Sequence, residues 1–195
     1  MRKIIQKYRY LFIIGLLPFF SSCGYNNMVS LREAVKSQWA QVQNAYQRRS
    51  DLIPNLVNTV KGYANFEKGT LTAVIEARAK ATSVTLDPSK LDANSLKKFE
   101  EAQDGLKSAL SRLMVVVERY PELKANQNFL ELQAQLEGTE NRIAVERQKF
   151  NQATQEYNTY IKKFPQLMIA KMFGFEEKAY FEAEKGAEKA PQVQF

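Results

Sequence analysis

Apolar side chains recur every seven residues along the segment from Asn126 to Phe164. One series is Phe129, Leu136, Ile143, Phe150, Tyr157 and Phe164, and the series offset by three is Leu132, Thr139, Glu146, Ala153 and Tyr160. This is the a and d pattern of helices that pack with a left-handed twist. A helix of this segment is roughly 57 Å long at 1.5 Å per residue. It therefore needs long neighbouring helices.

Three earlier stretches carry apolar residues at spacings of three and four, which predicts amphipathic helices. The first begins at about Asn26, the second covers about residues 54–81, and the third covers about residues 94–118. Residues 82–93 are rich in β-branched residues and contain a proline, so we expect a loop there. The chain is thus predicted to be all-helical, with no strand.

The junction near Pro54 is open to two interpretations. Pro54 has no backbone N–H and disfavours helix in the residue before it, so we expect a kink or a reversal. Asp51 is a good N-cap for a new helix, which favours a reversal. Tyr46, Ile53 and Val60 keep one helical phase across the junction, which favours a kinked helix.

Capping residues predict the remaining helix ends. Pro121 begins a short helical turn, and Asn126 is a suitable N-cap for the long helix. Residues 166–173 are predicted to form a short helix closed by Gly174 at the C′ position. We expect the aromatic residues that follow to pack on the bundle, and we expect residues 183–195 to be a mobile tail. These aromatic residues are Phe175, Tyr180 and Phe181.

Composition narrows the classes of function. The net charge of +7 includes Arg2, Lys3, Lys7 and Arg9, and removing this acid-free segment leaves 24 basic against 21 acidic residues. A nucleic-acid partner is not expected, because the basic residues do not cluster in the predicted helices. The chain has no His and one Cys, which removes His-dependent nucleophile systems and ordinary His or Cys metal sites. We expect no cofactor, and an enzyme that uses carboxylates alone stays open as a weaker alternative.

The N-terminus reads as a membrane-targeting segment. Residues 1–9 are basic, and residues 10–20 form an apolar run that is too short to span a bilayer as a helix. The sequence Phe20-Ser21-Ser22-Cys23 resembles a bacterial lipobox, with Phe20 where the commonest pattern has Leu. Residues 1–22 are therefore predicted to be a lipoprotein-type signal peptide, with Cys23 as the lipid attachment site. The alternatives are an uncleaved hydrophobic anchor, in which Cys23 is incidental, and a free cytoplasmic protein.

Several sequence blocks resemble the LemA family. They are Tyr25-Asn26 with Leu31-Arg32, Arg48-Arg49-x-Asp51-Leu52-Ile53-Pro54-Asn55-Leu56-Val57, Thr59-Val60-Lys61-Gly62-Tyr63-Ala64, Glu118-x-Tyr120-Pro121-x-Leu123-Lys124-Ala125-Asn126, Thr139-Glu140-Asn141-Arg142-Ile143-Ala144, Tyr157-Asn158 and Gly174-Phe175. The resemblance implies that residues 23–182 form an antiparallel, up-and-down four-helix bundle of the bacterial envelope, on the extracytoplasmic side of a membrane anchor. It implies no catalytic residues. Cys23 departs from the plain hydrophobic anchor of the common member.

Two groups of polar residues are candidates for a partner surface, and each has a plain structural alternative. The first group lies beside the predicted break and consists of Arg48, Arg49 and Asp51. If these residues do not bind a partner, we expect ion pairs between Arg and Asp to stabilise a solvent-exposed turn. The second group is a row of amide side chains on one flank of the long helix. If it does not bind a partner, we expect it to form hydrogen bonds within the chain, for example to polar residues of the second helix. The row consists of Gln148, Asn151, Gln155 and Asn158.

Glu146 occupies a d position of the heptad pattern. A carboxylate there would have a raised pKa or a basic partner. Alternatively, the buried face drifts to Val145, and Glu146 pairs with Arg142 at the surface.

The leading functional hypothesis is a non-catalytic, membrane-tethered helical bundle that acts as an interaction or scaffold module of the bacterial envelope. Its partners would be the membrane and other envelope proteins. The runner-up is an accessory or regulatory subunit of another envelope protein, such as a membrane protease.

Overall fold

The structure, a computed structural model, describes residues 2–62 and 67–182, and for residues 2–23 it describes only the helical backbone. The elements in these ranges are six helices and no strand, which confirms the all-helical prediction. The helices are α1 (Arg2–Lys61), α2 (Lys68–Ser83), α3 (Ala93–Val117), α4 (Pro121–Lys124), α5 (Gln127–Lys162) and α6 (Gln166–Phe173).

The described residues divide into two compact units. The first unit contains residues 2–51 and 135–178, and the second contains residues 52–62, 67–134 and 179–182. The side chains of the predicted signal peptide and of Cys23, and the predicted mobile tail, lie outside the described residues.

Helix α1 continues through Pro54, so of the two interpretations left open there, the continuous helix holds and the reversal does not. Pro54 is exposed, whereas Tyr46, Ile53 and Val60 are buried. A proline inside a helix costs about 3 kcal/mol. Each buried apolar side chain contributes about 1.5 to 3 kcal/mol. Burial on both sides of Pro54 therefore outweighs the lost hydrogen bond, and the continuous hydrophobic phase was the better guide.

The predicted second helix, residues 54–81, is wrong in its start. Helix α1 ends at Lys61 beside Gly62, and α2 begins only at Lys68. Glycine lowers helix propensity by about 1 kcal/mol relative to alanine, which is consistent with a helix end at this point rather than at Pro54.

The second unit is built on the packing of α2 against α3. Leu71 and Val74 of α2 and a full stripe of α3 are buried; the α3 residues are Leu96, Phe99, Ala102, Leu106, Ala109, Leu110, Leu113 and Val117. Asp92 caps α3 by accepting hydrogen bonds from the N–H groups of Asn94 and Ser95, each at 2.9 Å. The predicted cap of α5 is confirmed, because Asn126 Oδ1 accepts from the N–H of Phe129 at 3.1 Å.

The buried face of α5 follows the predicted a positions as far as Tyr157, while Phe164 is exposed. The d positions are buried through Glu146, after which burial moves from Ala153 to Thr154 and then continues at Ile161. A straight helix drifts by about 20° per heptad, so its buried face advances by one residue after a few heptads. The predicted shift of the buried face, from Glu146 back to Val145, is therefore wrong. The observed shift comes one heptad later and runs forward, from Ala153 to Thr154.

The first unit has an aromatic centre. Trp39 of α1 and Phe150 of α5 are fully buried and meet edge to face, with ring centroids 5.6 Å apart. Helix α6 ends as predicted: Gly174 adopts φ +70°, a left-handed conformation that favours glycine, and the N–H of Phe175 donates to the carbonyl of Ala170 at 2.9 Å. After α6, Phe175 and Phe181 are buried as expected, but Tyr180 is exposed.

Candidate interaction surface

Glu146 is held in a polar cluster of the first unit. It is 2% exposed, whereas Val145 is 45% exposed, so the predicted surface position of Glu146 is wrong. Gln38 of α1 donates to one carboxylate oxygen at 2.6 Å. Arg142 and Lys149 reach the other oxygen at 2.7 and 3.3 Å. The predicted pairing with Arg142 is therefore present, and it joins an exposed guanidinium to a buried carboxylate.

The charge balance of this cluster keeps Glu146 ionised. Burial alone would raise the pKa of Glu146, but the hydrogen bonds from Gln38 and Lys149 and the charges of Lys149 and Arg142 outweigh it. The pKa consequently lies below the ordinary value of 4.5.

Within the described ranges, no three Asp, Glu or Cys side chains converge in a way that could hold a metal ion.

Arg48, Arg49 and Asp51 lie on continuous helix rather than on the predicted turn. Arg49 is buried, forms an ion pair with Glu140 of α5, and lies 5.1 Å from the ring centroid of Tyr46. Asp51 is exposed and accepts a hydrogen bond from Gln47 at 2.7 Å. Arg48 is exposed and makes no ion pair among the residues that the structure describes. Of the three, Arg48 is thus the free cation on the surface.

A cleft of about 510 Å³ opens beside Arg48 in the first unit, and we call it the polar cleft because most of its lining residues are of polar types. Helices α1 and α5 each contribute four of its lining residues, which are Gln41, Asn44, Ala45, Arg48, Gln135, Gly138, Thr139 and Arg142. Thr139 is fixed by its hydroxyl, which donates to the carbonyl of Gln135 at 2.7 Å. A Cβ on Gly138 would meet nothing within 4 Å, so this glycine leaves the cleft open. The lining residues include two arginines and three amide residues, while apolar atoms form the larger part of the cleft surface.

The amide row of α5 is divided between surface and interior. Gln148 and Gln155 are exposed, Asn151 is half-buried and Asn158 is buried. Asn158 binds the backbone of Lys178 twice: its Nδ2 donates to the carbonyl at 2.8 Å, and its Oδ1 accepts from the N–H at 2.9 Å. The amide of Asn158 is therefore used inside the chain, with a partner other than the predicted second helix.

Asn158 is one of several contacts that hold residues 174–178, which we call the C-terminal segment. Tyr157 donates its hydroxyl to the carbonyl of Glu176 at 2.9 Å, and Lys162 pairs with Glu177 at 2.7 Å. Burial raises the pKa of Tyr157, so the phenol stays a hydrogen-bond donor. The guanidinium of Arg32 lies 4.9 Å from the centroid of the buried Phe175 ring.

Sequence reasoning missed the cleft and the hydrogen bonds that hold the C-terminal segment, although it predicted that Phe175 packs on the bundle. The cleft joins side chains about ninety residues apart in the chain, and no spacing rule pairs them. A signal for the C-terminal segment was present, because the amide row runs into the buried stripe of α5 at Asn158. An amide at such a position needs partners.

Residues 38–195 match the sequence model of the LemA family. The chain belongs to the LemA family. The resemblance that the sequence blocks indicated is thereby confirmed. Magnetosome protein MamQ of Magnetospirillum gryphiswaldense is 28% identical to this LemA-family chain, over 93% of the chain and 73% of the relative.

Two further relatives are similar to this LemA-family chain. Magnetosome protein MamQ 2 of Paramagnetospirillum magneticum is 29% identical over 87% of the chain and 68% of the relative. Protein LemA of Metamycoplasma hominis is 22% identical over 89% of the chain and 76% of the relative. Across the residues that the structure describes, no helix combines the length and apolar character needed to cross a bilayer.

Proposed function

We propose that this protein is a non-catalytic helical bundle, tethered to a bacterial membrane through lipidated Cys23, whose polar cleft binds an acidic segment of another envelope protein. The bundle would be the antiparallel four-helix arrangement that the family resemblance implies, on the extracytoplasmic side of the membrane. The observation that carries the binding role is the open cleft, in which Arg48 has no acidic partner among the described residues.

The chemistry of the cleft indicates the kind of ligand. Arginine binds carboxylates with two parallel hydrogen bonds, and the amides of Gln41, Asn44 and Gln135 can bond a peptide backbone. A volume of about 510 Å³ accommodates a few side chains. Arg142 already shares its charge with Glu146, so Arg48 is the group that an incoming carboxylate would neutralise.

The N-terminal sequence and the relatives support the tethered role. Residues 10–20 are apolar, and the lipobox-like residues end at Cys23. Relatives in two organisms are named as magnetosome proteins, and a third is named LemA. None of these three names specifies a reaction, which is compatible with an interaction module.

Gly138 offers a sharp test of the cleft. In living cells, a photo-crosslinking residue at Gln41 should capture a discrete partner, while the same residue at the exposed Ala40 should not. Gly138→Leu should abolish the capture by filling the cleft, and Gly138→Ala should retain it. Gly105→Leu is the matched control, because a Cβ there also meets nothing within 4 Å. Equal capture from Gln41 and Ala40, or capture that survives Gly138→Leu, would refute binding in the cleft.

The tether is tested separately. Cys23→Ser should shift the protein from the membrane fraction to the soluble fraction, or block removal of residues 1–22. Mass spectrometry of the purified chain should show added lipid on the wild type only. An unchanged mass and an unchanged fractionation would refute lipid attachment at Cys23.

A further inference from the structure

Helix α6 presents apolar side chains to solvent beside Gly24 and Tyr25 of α1. We call the exposed side of α6 formed by Leu167, Met168 and Met172 the α6 face; exposed Phe164 lies just before the helix, and exposed Phe173 is its last residue. Met168 and Met172 are one helical turn apart and are 66% and 70% exposed. Soluble surfaces seldom place several large apolar side chains together unless something covers them.

The α6 face lies close to the proposed lipid attachment site. A Cβ on Gly24 would lie 3.3 Å from Ile169 Cδ1, so α6 packs against α1 at the residue that follows Cys23. The rings of Tyr25 and Phe173 meet edge to face with centroids 4.9 Å apart. Tyr25 is two residues beyond Cys23, which is about 3 Å along a helix.

Positively charged side chains flank the α6 face. Lys163 and Lys171 are exposed and make no ion pair within the described ranges. Lys162 is paired with Glu177. Cationic side chains beside an apolar helical face are typical of helices that lie in the boundary between lipid headgroups and acyl chains. Methionine side chains are flexible and adapt to a fluid, irregular surface.

We propose that the α6 face inserts into the surface of the bilayer that holds the N-terminus, as a second membrane contact beside the lipid. This inference rests on the membrane tether under Proposed function. The bilayer is the occupant that the position favours, because a chain anchored at Cys23 brings residues 24 and 25, and with them α6, to the lipid headgroups. Exposed Tyr25 also fits this level, where aromatic residues with a polar tip are favoured.

Depth-dependent fluorescence quenching tests this contact on the full-length protein, purified from membranes and reconstituted into vesicles with brominated acyl chains. Met172→Trp places a fluorophore on the α6 face. Val145→Trp is the matched control, because Val145 is an exposed apolar residue of α5 beside Glu146, which binds Gln38. Gln38 is thirteen residues beyond Tyr25, or about 20 Å along α1. The native Trp39 supplies the baseline that is subtracted from both variants.

Brominated lipid should quench more than half of the added emission at position 172 and shift that emission to shorter wavelengths. The added emission at position 145 should be unchanged. If both variants float with the vesicles but position 172 is quenched no more than position 145, the α6 contact is refuted and the tether stands. If the wild-type protein fails to float with the vesicles, both the tether and the α6 contact are refuted.

Discussion

Asn158→Ala should release the C-terminal segment while leaving the helices folded. The substitution removes both hydrogen bonds to Lys178, and the N–H and carbonyl of that residue are left without the amide. Lys178 is half-buried, so each of these groups costs up to about 1 to 3 kcal/mol when it loses the amide, the upper end applying to a fully buried group. The two groups together would cost about 2 to 6 kcal/mol if the segment stayed in place. Detachment into water limits the observed loss to about 2 to 4 kcal/mol.

Hydrogen exchange measured by mass spectrometry reports directly the loss of free energy that holds the C-terminal segment in place. Since about 1.4 kcal/mol corresponds to a factor of ten, exchange at Lys178 should accelerate roughly 30- to 700-fold. Exchange within α3, in the second unit, should not change. Gln155→Ala is the matched control, because Gln155 belongs to the same amide row but is exposed, and substitutions at such sites stay within about 0.5 kcal/mol. Exchange at Lys178 in Asn158→Ala within threefold of the control would refute the clamp.

Three further predictions concern the first unit. Glu146→Gln should lower stability at neutral pH by about 1.5 to 3 kcal/mol through loss of charged hydrogen bonds. Because the folded pKa of Glu146 lies below the ordinary 4.5, this deficit in chemical denaturation should persist above pH 4.5 and shrink as pH falls through the folded pKa. The exposed control Glu156→Gln should stay within about 0.5 kcal/mol of wild type at neutral pH. Thr154→Val should stabilise by about 1 kcal/mol, since the buried hydroxyl has no partner in the part of the chain that the structure describes, and melting of the exposed control Thr159→Val should stay near wild type. Gly174→Ala should destabilise the end of α6 by about 1 to 2 kcal/mol, because φ is +70°, and unchanged melting would contradict the strain.

Local signals predicted the helix ends that depend on local chemistry. The Asn126 cap of α5 and the left-handed Gly174 after α6 were both expected from residue type and position. At Pro54 the local preference and the hydrophobic phase pointed to different structures, and the phase of Tyr46, Ile53 and Val60 held because all three side chains are buried. A helix propensity is a preference of a few kcal/mol, and packing on both sides of the position exceeded it.

Pairing between helices could not be predicted. The heptad pattern gives the face of α5 that packs, but not which residue of α1 lies opposite each position. Gln38 with Glu146 and Arg49 with Glu140 are therefore findings of the structure alone. The polar cleft depends on the same pairing, so the amides of α1 that line it were not among the predicted surface residues.

Helix α1 continues without interruption from Gly24, the residue after the proposed anchor, past Arg48. A flexible linker would let a tethered domain sample a wide volume. A helix instead rises 1.5 Å per residue, which places Arg48 about 37 Å from Cys23 along its axis. With Cys23 lipidated as proposed, α1 would hold the cleft at a set distance from the anchor, and a partner would be selected by how far its acidic group stands from the bilayer as well as by its charge.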